Sequence, residues 1–101
     1  MPRAAPSPAD IAVAIGKVQA DDWIDPLETP LNWLCLLYDS EGFEIGNGNA
    51  HTPREAMALA WIACCSPDAL IDGYVEPGSV PYEVPEGYRF ELTPPWKSKR
   101  D

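Results

Sequence analysis

Residues 31–65, LNWLCLLYDSEGFEIGNGNAHTPREAMALAWIACC, decide the fold, because they read as a strand, a turn, a returning strand and a capped helix in direct succession. Both alternating faces of residues 31–38 are apolar. Leu31, Trp33, Cys35 and Leu37 fall on one face, Leu34, Leu36 and Tyr38 on the other, and Asn32 is the single polar residue. A half-exposed antiparallel strand shows polar alternation, so a strand of this composition is expected to be covered on both sides. Asp39-Ser40-Glu41-Gly42 supplies the turn, and Phe43-Glu44-Ile45 returns with Phe43 and Ile45 on one face and Glu44 on the other. Gly46-Asn47-Gly48-Asn49 then predicts a bulge or a loose exit from the sheet.

Thr52-Pro53-Arg54-Glu55 opens a long helix. Thr52 caps the Glu55 amide, the Glu55 side chain is expected to return to the Thr52 amide, and Pro53 sits where no amide partner is needed. Met57, Ala60, Trp61 and Cys64 make one apolar face; Leu59, Ile62 and Ala63 widen it beyond the needs of a single contact. Ser66-Pro67 ends this helix and starts a short helical turn through Asp72, terminated by Gly73.

Upstream, Ser7-Pro8-Ala9-Asp10 combines an N-cap serine, a first-turn proline and an acid at the third position, and predicts a helix over 8–20. Ile11, Ala14, Ile15 and Val18 form its buried stripe. Asp21-Asp22 breaks the pattern, Pro26 and Pro30 bracket an extended linker, and Trp23, Ile24 and Leu27 tuck against the core. Downstream, YVEPGSVPYEVP over 74–85 reads as an ordered, extended loop. Glu86-Gly87 turns, and residues 88–92 form a third strand with Tyr88, Phe90 and Leu92 inward until Pro94-Pro95 stops it. The tail WKSKRD is basic and expected to be mobile beyond Trp96.

A chain of 101 residues makes one domain, 1–101, with a helix–hairpin–helix core over 8–65, a proline-rich part over 66–95 and a basic tail over 96–101. Its 46% hydrophobic residues suffice for a core, while twelve prolines restrict regular structure to a few elements. The expected class is α+β: a small antiparallel sheet of two or three strands with helices on both faces and a proline-rich C-terminal segment.

Sixteen acids against seven bases give a net charge of −9. Between Lys17 and Arg54 there is no base, but there are Asp21, Asp22, Asp25, Glu28, Asp39, Glu41 and Glu44. The interval from Arg54 to Arg89 holds Glu55, Asp68, Asp72, Glu76, Glu83 and Glu86. Direct nucleic-acid binding needs cations that release phosphate counterions, and anionic membrane binding needs them equally, so neither is expected. Two readings of the acids stay open: a solvated face that keeps the protein soluble, or a negative surface that engages a basic partner. Asp21, Asp22, Asp25, Glu28, Glu76, Glu83 and Glu86 are the candidate binding acids. Trp23, Tyr74, Tyr82 and Trp96 lie in irregular segments beside them and read either as interface aromatics or as covers for a small core. Trp33 and Trp61 are expected in the core.

Three cysteines, Cys35, Cys64 and Cys65, without a C-x-x-C pair fit neither a disulfide framework nor a zinc site; they read as small buried thiols, with Cys64 and Cys65 pointing in different directions. No signal core or membrane span is visible, so a soluble, cytoplasmic protein is expected. His51 is the only histidine and reads as a loop residue before a cap. Asp21, Asp22 and Asp25 lack the grammar of a calcium loop, and Gly46-Asn47-Gly48 lacks the third glycine and helix of a phosphate cradle and reads as a turn. No enzyme, cofactor or metal is expected.

Trp33, Cys35, Asp39, Gly42, Thr52, Pro53, Glu55 and Ala56 spell W-x-C-x-x-x-D-x-x-G followed by T-P-x-E-A and an alanine-rich helix. Over residues 8–65 this resembles the small phage proteins grouped as the phage ABA sandwich domain. The resemblance implies helices on both faces of a small antiparallel sheet and a phage or prophage origin, and it supplies no catalytic residues. Together with the charge it points to a non-enzymatic, anti-CRISPR-like inhibitor that presents acids to a host protein or ribonucleoprotein complex with a basic groove. The alternative is a phage accessory or self-assembling module, a homodimer, with no host target.

Overall fold

A computed structural model of the chain describes residues 5–20, 24 and 32–98. Four helices and three strands follow in the order α1 (Pro8–Gln19), β1 (Trp33–Tyr38), β2 (Glu44–Ala50), α2 (Pro53–Cys65), α3 (Pro67–Asp72), β3 (Arg89–Thr93) and the single turn α4 (Pro95–Ser98). The strands form one antiparallel sheet in the order β2-β1-β3, which makes the protein α+β as expected. The apolar run of β1 occupies the centre because only the middle strand is paired on both edges.

β2 departs from the expectation. The glycine-rich residues 46–49 continue the strand instead of leaving it, and the bulge falls earlier: Leu37 pairs with Gly46 and Tyr38 with Glu44, so Ile45 is the extra residue. The physical reason lies in α2. Along β2, Gly46, Gly48 and Ala50 point to the α2 side, and a Cβ at Gly46 would stand 2.3 Å from the Ala60 carbonyl oxygen. At Gly48 it would stand 2.5 Å from the Ala56 oxygen and 2.6 Å from the Ala60 nitrogen. The helix backbone therefore lies directly on the strand, and small residues on both partners, Gly46, Gly48, Ala56 and Ala60, permit the approach. Cys35 and Leu37 sit on the same face of β1 opposite Gly48 and Gly46 and are fully buried.

The wide apolar surface of α2 is used on every side. Ala56 through Ile62 are all buried. α1 packs on α2 with its predicted stripe, Ile11, Ala14, Ile15 and Val18, buried. Two ion pairs join the helices, Arg54 Nε to Asp10 Oδ2 at 2.9 Å and Lys17 Nζ to Glu55 Oε1 at 3.6 Å. Both long helices thus lie on one side of the sheet. On the other face Leu34, Leu36 and Tyr38 are half-buried and Asn49 is buried.

The caps explain where the helices start. Ser7 Oγ accepts from the Asp10 amide at 3.1 Å, and Asp10 Oδ2 accepts from the Ser7 amide at 3.2 Å, a complete capping box. At α2, Thr52 Oγ1 accepts from the Glu55 amide at 3.2 Å, as expected. The expected return bond from the Glu55 side chain is replaced by its ion pair with Lys17, a charged partner that the Thr52 amide cannot match. α3 ends at Gly73 in the left-handed conformation, φ 79°, which glycine adopts without strain.

Residues 74–88 run back over α2 to β3. Val75, Val80 and Val84 are buried at intervals along this loop. Trp61 Nε1 donates to the Pro81 carbonyl and Gln19 Nε2 to the Val75 carbonyl, so two helices hold the loop by its backbone. Tyr88, Phe90 and Leu92 pack against the core as predicted. α4 follows where a mobile tail was expected from 97 on; residues 99–101 lie outside the described residues. No helix among the described residues is long and apolar enough to cross a membrane.

Candidate functional site

The hairpin turn is rigid. Asp39 Oδ1 accepts from the amides of Glu41 at 2.9 Å and Phe43 at 3.0 Å, while the Asp39 amide donates to the Phe43 carbonyl at 2.9 Å. These bonds make Phe43 part of the turn, so it does not share a strand face with Ile45 as the alternation suggested. Its ring is 65% exposed. Glu41 and Glu44 flank it, both exposed.

A second turn meets the first. Gly87 has φ 95°, and a Cβ placed there would stand 2.9 Å from the Ser40 Cβ, so the 85–88 turn rests on the 39–42 turn. Residues 40 and 87 are 47 positions apart, 87 minus 40 in the same numbering, and no local pattern connects them. The contact gathers Glu41, Phe43, Glu44 and Glu86 at one end of the sheet. Tyr38 lies beside them on the face away from α2. Its hydroxyl donates to Glu91 Oε1 at 3.1 Å, and the Arg89 guanidinium lies 4.6 Å from its ring centroid. The Glu91 hydrogen bond, burial and the charges of Glu91 and Glu44 push the Tyr38 hydroxyl pKa up, against the opposing pull of Arg89.

The candidate acids within the described residues divide into three groups. Glu86 belongs to this end. Glu83 and Tyr82 are exposed on the preceding loop, whose backbone Trp61 holds at Pro81; Tyr88 stacks edge-on against the same Trp61, with ring centroids 6.4 Å apart. Tyr74 and Glu76 are exposed at the loop's start, beside the Gln19–Val75 bond. Asp21, Asp22, Trp23, Asp25 and Glu28 lie outside the described residues, while Ile24 is half-buried. Sequence reading missed Phe43, Glu41 and Glu44 as site residues. Their only signal was two acids around an aromatic in a turn, which is ordinary turn composition.

Tyr74, Tyr82 and Trp96 are 57%, 51% and 69% exposed, so they stand out from the core they were weighed as covering. Trp96 meets half-buried Trp33 edge-on, with centroids 5.7 Å apart. Trp61 is buried, as expected.

His51 is exposed before the Thr52 cap. Cys35 is fully buried, and burial pushes its thiol up to about 12 despite a backbone hydrogen bond. A thiol so shifted is protonated at neutral pH and is a poor nucleophile. No group of three or more metal-ligating side chains occurs among the described residues. Asp10 is held below the ordinary carboxylate range: burial pushes it up, but Ser7 and the Arg54 guanidinium outweigh burial, which is cap chemistry.

No family model matches this chain, and no curated protein or solved structure matches it.

Proposed function

We propose that the chain is a non-enzymatic binding protein whose acidic end engages a basic partner surface. In its concrete form it is a phage-encoded, anti-CRISPR-like inhibitor in the host cytosol, placing carboxylates where a host defence complex would hold nucleic-acid phosphates. The observation that carries this reading is the junction of the two turns, which brings the turn holding exposed Glu86 against the hydrogen-bonded turn that carries exposed Glu41, Phe43 and Glu44. An aromatic anchor rimmed by charge suits a protein interface, since aromatics supply buried contact area and charges supply steering. The net charge of −9, the protonated Cys35 thiol and the resemblance over residues 8–65 support the same reading.

The test has two parts. The tagged protein captures partners from nuclease-treated bacterial lysate at low and moderate salt, identified by mass spectrometry; a nucleic-acid-handling complex released at moderate salt is expected. Glu41→Lys, Glu44→Lys and Glu86→Lys together should then slow its association by about tenfold or more and flatten its salt dependence. A parallel reversal of Asp21, Asp22 and Asp25 assigns the patch. Binding unchanged by both sets refutes mimicry.

A second reading, a phage accessory or self-assembling module, is favoured by one observation. β2 is an edge strand, and its sequence EIGNGNA carries neither the lysine nor the proline that commonly blunts such an edge. A concentration-dependent homodimer with no captured host partner would select it.

A further inference from the structure

We propose that β3 is the mating edge of a twofold homodimer, in which the β3 strands of two copies pair antiparallel with Phe90 opposite the partner's Phe90 and join the two sheets into one. Such a dimer belongs to the self-assembly reading, with its contact at β3 in place of β2. The order β2-β1-β3 leaves two open edges among the described residues. At β2 the backbone of α2 lies directly on Gly46 and Gly48. Two copies joined there would hold their helices about one strand spacing apart, ~4.8 Å, where packed helices need about 8–10 Å. β3 is two strands removed from β2, so the same join at β3 keeps the helices well apart. Tyr88, Phe90 and Leu92 pack on the core but are only partly buried, which leaves an apolar flank along this edge for a neighbour to cover.

Backbone hydrogen bonding sets the phase of the pairing. The Asp39 amide donates to the Phe43 carbonyl, so Asp39 and, by alternation, Leu37, Cys35 and Trp33 turn their backbone polar groups toward β2. Leu34, Leu36 and Tyr38 then turn theirs toward β3, where their partners are Thr93, Glu91 and Arg89. Phe90 and Leu92 are left with amides and carbonyls directed outward. An antiparallel twofold pairing of those groups can centre on Phe90, Glu91 or Leu92. Centring on Glu91 sets it against the partner's Glu91. Centring on Leu92 sets Phe90 against the partner's Pro94, which has no amide to donate. Centring on Phe90 sets Tyr88 across from the partner's Leu92 on one face and Arg89 across from the partner's Glu91 on the other, each twice by symmetry. Aromatic and opposite-charge cross-strand pairs stabilise antiparallel strands, and like charges directly opposite destabilise them, so the Phe90 register is selected. Arg89 and Glu91 are exposed and make no ion pair among the described residues. Both touch Tyr38, Arg89 over its ring and Glu91 at its hydroxyl, which holds the two side chains on the face where the cross-strand pairs form.

Sedimentation equilibrium of the full-length protein over a concentration series should show reversible growth from the 11.1 kDa chain to twice that mass. Arg89→Glu and Glu91→Arg each turn two attractive cross-strand pairs into two repulsive ones, and each should weaken the dimer by about tenfold or more. An equal mixture of the two variants should associate again, because the mixed pair restores opposite charges at both positions; circular dichroism checks that each variant is folded. A parent that stays monomeric at every concentration overturns both the β3 contact and the self-assembly reading. A dimer that both single variants leave intact overturns the β3 contact alone, as does a mixture that associates no more tightly than either variant by itself.

Discussion

Gly48→Ala tests the packing on which the whole arrangement depends. The added Cβ would meet the Ala56 oxygen at 2.5 Å, the Ala60 nitrogen at 2.6 Å and the Leu59 Cβ at 2.7 Å. Two of these three are helix backbone, so no rotamer change relieves them and α2 must move off β2. Overpacking costs about 1–3 kcal/mol, and rigid neighbours on three sides place this site at the upper end, about 3 kcal/mol. Relief of the glycine's backbone entropy returns at most about 1 kcal/mol. The net loss of about 2–3 kcal/mol corresponds to a Tm lower by roughly 8–24 °C in a domain of this size, read by calorimetry or circular dichroism. Gly16→Ala in α1 is the control of opposite sign. It is exposed and has nothing within 4 Å of an added Cβ, so it should stabilise by about 0.5–1 kcal/mol. If Gly48→Ala leaves Tm within about 2 °C of the parent, far inside the shift worked above, the helix does not lie on the strand as described.

Other perturbations address the caps, the loop and the site separately. Ser7→Ala removes the Oγ half of the α1 capping box and leaves the residue-7 amide on Asp10, and should cost about 1 kcal/mol in urea denaturation. Asp10 has a folded pKa below its ordinary 3.8, so its contribution is complete above that pH and is lost as pH falls through the lower folded value; Ser7→Ala, which keeps the residue-7 amide and Arg54 on the carboxylate, should flatten this acid limb of stability only in part. Trp61→Phe leaves the Pro81 carbonyl without its donor and should cost about 1 kcal/mol, with faster amide exchange over residues 75–84 as the specific readout. Glu41→Lys, Glu44→Lys and Glu86→Lys change exposed positions and should leave stability within about 0.5 kcal/mol, so that any loss of binding reports the surface.

Local signals were legible where one segment holds all the interacting groups. Ser7 and Asp10 are three residues apart, as are Thr52 and Glu55, and both caps form. The stripe of α1 and the inward side of β3 follow from periodicity alone, because burial of alternate or every third and fourth residue needs only one partner surface. The Glu55 return bond failed because Lys17, 38 positions away (55 minus 17), competed for the carboxylate. Gly46 and Gly48 were read as a turn because glycine in isolation signals flexibility, whereas here its missing side chain makes room for a helix backbone.

By itself, the sequence determined an acidic α+β domain with two capped helices and a strand apolar on both alternating faces, since these depend on composition, spacing and short-range hydrogen bonds. Only the tertiary structure decided that both long helices lie on one side of the sheet and that α2 is enclosed by the sheet, α1 and the valine-anchored loop. It alone brought Glu86 to the hairpin turn that exposes Phe43. Those outcomes depend on contacts between residues dozens of positions apart. Chain connectivity permits many such pairings, and close packing against a specific neighbouring surface selects one.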